Sequence, residues 1–478
     1  METHFERICP LSESDLEKVH TKTVDILTNT GMLVGSERAR KVFQEHGLRV
    51  DGRTVFFTEK VIEEAVKRAP ECFTILARNP KNNLQVGGDS FAFGPTGIAP
   101  FFMESNGVQR PAVKADCINF LKLVQSSDLI AFNRQVVLAS EVPQEGNHFW
   151  HLLGEIKYTD KPCQIYDENS LQLVCMAFGI TPEKMKEDAR KGVHYALGGI
   201  NPVSPLFLTA DQSDLVILLA EYGVPFVIAA MPVAGMSAPC TLPGVLITQN
   251  CENLGMLVLS QLINPGAPVI YGTIGTITHM KTGSAPIGAP ETRLLERASA
   301  QIARFYRLPS RGDCGLTDSL DADFQAGAES ALQFYNTVSC GINLLPGIGE
   351  LGSWLHASLE KFVLDCEIAG YVMRMIRPLE FTEENMAVDL IKKVGPSGSY
   401  IGEMHTFQHF RDEFYEPAVF QRTVYDKWEL DGRKELKEMA GAKAQELLKQ
   451  YEKPDIDPGL EKDLEKFVEE RLGIVVSG

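Results

Sequence analysis

One recurrence constrains the fold of this chain more than any other feature. From about residue 90, short apolar or β-branched runs, each closed by Gly, Pro, Asn or Thr, alternate with amphipathic stretches of helix length. Eight runs are present: Phe91 to Phe93, Ile130 to Val137, Cys163 to Tyr166, Val193 to Leu197, Pro225 to Ala230, Pro268 to Tyr271, Pro309 to Asp313 and Val338 to Leu345. Their starts recur every ~30–40 residues, the length of one strand–helix unit. Such alternation predicts an α/β protein with a parallel sheet. Eight units, with no Gly-x-Gly-x-x-Gly turn after the first strand, predict closure into a (β/α)8 TIM barrel in preference to a doubly wound sheet.

The flanks read differently. Ser12 opens a capping box with Asp15, Leu16, Val19, Ile26 and Leu27 follow at helical spacing, and Gly31 stops the helix. A second helix runs from Ser36 to Gly47, the stretch VDGRTVFF predicts a hairpin turned at Asp51-Gly52, and Thr58 caps a helix that ends before Pro70. After about residue 370 the chain is helical and charged, with Asp457-Pro458 opening a last helix. The expected organisation is N-terminal helices and hairpin packed on the barrel (1–89), a catalytic barrel (90–370) and a C-terminal helical extension (371–478). The flanking segments offer surfaces to a homo-oligomer.

With 63 acidic against 46 basic residues the net charge is -17, which opposes binding to nucleic acid or to an anionic membrane. No apolar run reaches the roughly 18 residues of a membrane span, and the first residues lack the basic and apolar regions of a signal peptide. A cytoplasmic enzyme is expected. The ten cysteines are scattered without a C-x-x-C pair, as small core residues are in a reducing compartment.

In a barrel of this kind the active site lies at the C-terminal ends of the strands. The residues there are Thr96, Asn133, Arg134, Gln135, Tyr166, Asp167, Asn201, Met231, Tyr271, Thr273, Arg311, Asp313, Asn343 and Glu350, a polar and aromatic set. Walker A, Gly-x-Ser-x-Gly, H-E-x-x-H and paired-cysteine zinc patterns are all missing. His148 with His151, and His405 with His409, sit at spacings that share a helix face, but two histidines without a third ligand read as surface or packing residues before a metal site. Gly198-Gly199 and Gly347 with Gly349 read as tight turns before phosphate cradles, because no basic residue follows them.

Six segments in order resemble the trimethylamine methyltransferase family in its non-pyrrolysine branch: ILARNPKNNLQVGG; PCTLPGVLITQNCENLGMLVLSQLINPGAPVIYG; TGSAPIGAPE; GLTDSLDADFQAGAES; SLEKFVLDCEIAG; and HTFQHFRDEFYEP followed by Arg422. They span roughly residues 76 to 422. The resemblance implies a TIM barrel that takes a methyl group from an amine and delivers it to cobalt(I) of a corrinoid (cobalamin) on a separate cognate protein, with no metal held by this chain. Founding members use pyrrolysine, absent here, which shifts the implied substrate from trimethylamine to a quaternary amine such as glycine betaine, proline betaine or carnitine. An already cationic nitrogen needs no general acid to leave, so the barrel must bind, orient and desolvate the cation.

Phe101, Phe102, Tyr166, Tyr271 and Trp354 are the candidate rings for the ammonium, each also readable as core packing. Asn201 stands with them as a polar group at the mouth. Arg134, Arg311 and His356 are candidate partners for a betaine carboxylate, although Arg311 is equally suited to pair with Asp313 or Asp318. His356 and Glu350 are the candidate catalytic groups; Glu350 either counters the ammonium charge or anchors a loop. A metal-dependent barrel hydrolase or lyase using the histidine pairs, and a non-catalytic quaternary-amine binder, remain as alternatives.

Overall fold

A computed structural model describes residues 7–475, so residues 1–6 and 476–478, which belong to the two expected flanking segments, lie outside the described residues. Seven strands form one parallel sheet: β1 (Ala92–Pro95), β2 (Gln164–Ile165), β3 (Leu197–Ile200), β4 (Phe226–Ala230), β5 (Val269–Thr273), β6 (Ser310–Arg311) and β7 (Leu344–Ile348). Their spatial order is β1-β7-β6-β5-β4-β3-β2. First and last strands are thus neighbours, with Leu345 opposite Phe93. Every residue of β4 and β5 is buried, as expected of Val- and Ile-rich strands covered on both faces.

Residues 130–137 close the ring between β1 and β2. Phe93 bridges Ile130 in parallel register. The Ala131 amide donates to the Phe93 carbonyl at 2.9 Å, and the Asn133 amide to the Pro162 carbonyl at 2.9 Å. This stave is too irregular to form a continuous ladder, and a buried lysine holds it instead. Lys161 Nζ donates to the carbonyls of Val124 (2.6 Å), Ser127 (2.7 Å) and Ile130 (2.6 Å). Burial pushes its ammonium down to about 8.

The eightfold pattern holds, with two runs displaced. Val193–His194 pairs with Cys72–Ile75 outside the barrel, and the barrel strand begins at Leu197. Gly198 and Gly199 therefore lie within β3 and not in a turn; a Cβ at Gly198 would stand 2.6 Å from Leu219 Cδ1 of the covering helix. Val338 belongs to the helix Phe324–Ser339, and the eighth strand starts at Leu344. Asn343 sits at the start of that strand, bonded to the carbonyls of Gly88 and Ser90, at the end of the barrel away from the expected site.

The N-terminal elements form as their caps dictate. Ser12 and Asp15 make the capping box of Glu13–Asn29, and Thr58 caps Glu59–Arg68. The strands Arg49–Asp51 and Thr54–Phe56 make the hairpin. Asp457 caps the helix Pro458–Leu472, which packs on Asn147–Tyr158 through Phe467 and Phe149, 5.8 Å between ring centroids. Among the described residues no helix is long and apolar enough to cross a membrane.

Candidate active site

Strand geometry builds the site. Successive side chains on a strand point to opposite faces, so inward positions recur every second residue. Phe132 and Arg134, Gln164 and Tyr166, Leu197, Gly199 and Asn201, and Val227, Ala229 and Met231 follow this alternation and line a cavity of about 290 Å³ at the C-terminal ends of the strands. Gly97, Ile98, Ile274, Arg311, Pro346 and Trp354 complete its upper wall. A separate hollow of about 510 Å³ is lined by His20, Lys67, Glu71 and Arg307. It borders the loop after the helix Pro290–Phe305 and the N-terminal helices, below the strands' starting ends, and shares no residue with the site.

Five of the ten candidate site residues line the cavity: Arg134, Tyr166, Asn201, Arg311 and Trp354. Arg311 is already neutralised. Its guanidinium grips Asp313 through two contacts, Nη1–Oδ2 at 2.9 Å and Nη2–Oδ1 at 2.5 Å, and donates to the Thr273 carbonyl. Arg134, by contrast, makes no side-chain hydrogen bond or ion pair among the described residues. Burial and then the neighbouring Arg311 cation push its pKa down, against the opposing pull of Tyr166, Asp313 and Glu350. Room for it comes from Gly97, where a Cβ would lie 2.8 Å from the guanidinium carbon. The cavity therefore holds one cation that no side chain hydrogen-bonds among the described residues, offset only through space by Asp313 and Glu350.

Rings stand on its other walls. Tyr166 is turned by its neighbours: His148 meets it edge-on at 5.5 Å, and His148 Nε2 is 3.2 Å from Asp167 Oδ2. Asp167 in turn caps the helix Glu168–Phe178. Trp354 is presented by a turn in which Gly352, Ser353 and Trp354 all have positive φ, of 58°, 56° and 68°. Two non-glycine residues in the left-handed region cost free energy, and the surroundings pin them. Ser353 N–H donates to the Thr317 carbonyl at 3.0 Å and its hydroxyl to Asp318 at 2.7 Å. The Trp354 amide donates to Glu350 Oε1, and Thr96 Oγ1 donates to Glu350 Oε2 at 3.0 Å.

The other five candidates lie elsewhere. Tyr271 is out of phase with the inward positions Ile270, Gly272 and Ile274. It faces outward and donates to Asn250 Oδ1 of the helix Leu242–Ile263 at 3.1 Å. Phe101 and His356 pair in a small sheet beside the barrel, their rings stacked at 5.7 Å with His356 Nε2 2.7 Å from Gln109 Oε1. Phe102 packs against Phe120, and the Arg110 guanidinium covers it. Glu350 is fully buried behind the wall, and burial drives its carboxyl well above the usual range, so it holds the Trp354 turn. Of the residues sequence reasoning missed, Phe132, Gln164, Gly199 and Ile274 carried a usable signal, namely strand parity.

His148 and His151 turn to different partners, Asp167 and Glu155, whereas His405 and His409 both reach the exposed Glu384, at its carbonyl (3.2 Å) and its carboxylate (3.4 Å). The Val136 amide donates to His151 Nε2 at 3.1 Å, and Nδ1 of that buried ring lies 3.1 Å from Glu155 Oε1. The His405 and His409 rings lie 4.3 Å apart, tilted by 39°, on the helix Met404–Glu413 and do not line the cavity. Among the described residues no group of three or more His, Cys, Asp or Glu is placed to hold a metal ion.

The family model described as trimethylamine methyltransferase matches residues 1–473. A glycine betaine methyltransferase of Desulfitobacterium hafniense is 36% identical over 470 residues, covering 96% of both chains. A trimethylamine methyltransferase of the same species is 30% identical, covering 96% of this chain and 93% of its own. A proline betaine:corrinoid methyltransferase of Eubacterium limosum is 29% identical, covering 96% and 97%.

Proposed function

Because the chain belongs to the trimethylamine methyltransferase family, we propose that it demethylates a betaine and passes the methyl group to the cobalt(I) of a corrinoid carried by a partner protein. One observation carries the substrate class: a guanidinium that no side chain hydrogen-bonds among the described residues, Arg134, shares a small cavity with Tyr166 and Trp354. A betaine brings a carboxylate for the first and a quaternary ammonium for the rings. Trimethylamine would leave Arg134 without a hydrogen-bond acceptor in the cavity.

The residues divide the work as follows. Arg134 binds the carboxylate by paired, charge-assisted hydrogen bonds. Tyr166 and Trp354 offer π faces to the ammonium, each contributing about 0.5–2 kcal/mol. Phe132, Val227 and Ala229 exclude water from the nitrogen, and Asn201 holds the rim by donating to the Ala229 carbonyl at 3.1 Å. The corrinoid supplies the nucleophile. When the methyl group leaves, the C–N pair stays on nitrogen and the departing amine is neutral, so no protein group has to supply a proton. The lining matches this: its two ionisable cations are arginines, which do not exchange protons near neutral pH.

The cavity suits a small zwitterion and is too narrow for a corrin macrocycle, so the cobalt is met at the mouth and the cofactor stays with its partner. Residues 90–370 form the catalytic unit, and 1–89 and 371–478 support it. Ten unpaired cysteines support a cytoplasmic setting. The test is a panel of glycine betaine, proline betaine, carnitine and trimethylamine mixed with this protein and a cobalt(I) corrinoid protein. A methylcobalt absorbance change with at least one betaine and none with trimethylamine is expected; a response to trimethylamine alone would reverse the assignment.

A further inference from the structure

Gln164 on β2 and Tyr166 just beyond it are two residues apart, so both side chains project into the cavity. The Tyr166 hydroxyl donates to Gln164 Oε1. Only 8% of Gln164 is exposed, yet its amide nitrogen Nε2 makes no hydrogen bond among the described residues. Two N–H donors of a buried carboxamide are left for a ligand.

The direction of the Tyr166 bond follows from its surroundings. Burial and then Glu155 push the phenol up, with Arg134 opposing, so the phenol keeps its proton at neutral pH. The nearby Arg134 cation attracts the hydroxyl oxygen and repels its proton, which points to Gln164. An amide that accepts through Oε1 presents Nε2 on its other side.

This pair stands on a fixed platform. Glu155 Oε2 accepts from the Gln164 backbone amide at 3.3 Å, and Ser170 Oγ accepts from the amides of Tyr166 and Asp167 at 2.9 and 2.8 Å. Beside it lies open space. Leu197 of β3 is level with Gln164, which brings Gly199 level with Tyr166, and a Cβ at Gly199 would meet nothing within 4 Å. Arg311 and Asn201 are engaged elsewhere, by Asp313 and by the Ala229 carbonyl.

We propose that the Gln164 side-chain amide is a specificity-determining donor that binds the substrate carboxylate together with Arg134, and that the Tyr166 hydroxyl is the positioning group that aims it. The inference rests on the betaine reading and adds a second donor to the carboxylate end. A carboxylate offers about four acceptor sites, so paired bonds from Arg134 leave room for one from Gln164. The amide N–H groups also repel an ammonium, which sets the direction in which a betaine enters. Tyr166 thereby has two separable roles, its ring toward the ammonium and its hydroxyl toward Gln164.

Calorimetry without corrinoid reads this, with glycine betaine, proline betaine and carnitine as ligands and choline as the control. Gln164→Met, similar in length and unable to donate, should weaken the best-bound betaine roughly 10- to 100-fold and choline less than about twofold. Tyr166→Phe keeps the ring and removes the hydroxyl. It should weaken the betaine about three- to tenfold in the wild type, but less than about twofold when added to Gln164→Met. If Gln164→Met fails to fold, a loss confined to betaines in Tyr166→Phe decides the matter. Equal losses of betaine and choline, or a Tyr166→Phe effect undiminished by Gln164→Met, overturn the proposal. Betaine binding that falls in Arg134→Ala but not in Gln164→Met overturns it while the betaine reading stands. A wild type that binds none of the three betaines overturns both.

Discussion

Among the described residues Arg134 has no hydrogen-bond partner for its side chain while Arg311 has two, and that difference makes Arg134 the residue on which binding turns. Loss of a charge-assisted hydrogen-bonded pair costs about 1.5–3 kcal/mol, so Arg134→Ala should raise KM for a betaine by roughly 10- to 100-fold, with a smaller change in kcat. Steady-state kinetics check it, and Gly97→Ala, whose new methyl would meet the guanidinium, should shift KM in the same direction. Glu350 poses a sharper question. If it holds the Trp354 turn, Glu350→Gln keeps an acceptor for the Trp354 amide and should leave KM within about threefold, whereas Glu350→Ala should raise it and alter Trp354 fluorescence. If its charge balanced the ammonium, glutamine would be as damaging as alanine. Arg134, Tyr166 and Trp354 were legible as residues because strand ends and their types point to the mouth. That Arg311 is spoken for was readable only as an even choice, since the pairing depends on side-chain geometry within β6.

At the scale of elements, the recurrence of strand and helix was legible because buried parallel strands are written in Val, Ile, Leu and Ala and bounded by turn residues. Boundaries were less so: β3 carries two glycines that look like a turn, of which Gly198 is demanded by close helix packing while Gly199 borders the cavity. Parity within a strand is set by register, which a list of apolar runs does not contain, and Tyr271 was misplaced for that reason. The covering helices bring a measurable property. Glu252, which accepts from the Leu206 amide at 2.9 Å and the Ser204 hydroxyl at 2.9 Å, is pushed by burial up to about 7, as is Glu296. An unfolded glutamate ionises near its ordinary value, so between about pH 4.5 and 7 the folded state holds protons that the unfolded state has released. Stability should therefore fall as pH rises through that window and level off above it, by up to about 3 kcal/mol per group. Urea midpoints measured from pH 5 to 8 test this, and Glu252→Gln should flatten the slope.

At the scale of the molecule, the cavity is lined by residues from every stave: 97 and 98 after β1, 132 and 134, then β2, β3, β4, the turn after β5, β6, and β7 with its following loop. A ligand that contacts all of them binds only the closed barrel. Binding to the folded state alone stabilises it by RT ln(1 + [L]/Kd), about 2.7 kcal/mol at a hundredfold excess over Kd. The true substrate should therefore raise the unfolding temperature of the whole protein in the absence of any corrinoid. Two controls make the measurement specific. Trimethylamine, which lacks the carboxylate, should give a much smaller shift in the wild type, and Arg134→Ala should reduce the betaine shift toward that level. A cation that has the ammonium without the carboxylate, such as choline, should be almost indifferent to Arg134→Ala while still losing its shift in Trp354→Ala. Equal shifts for betaine in wild type and Arg134→Ala would mean that the carboxylate is held elsewhere in the ring of staves, and that the two-ended reading of the cavity is wrong.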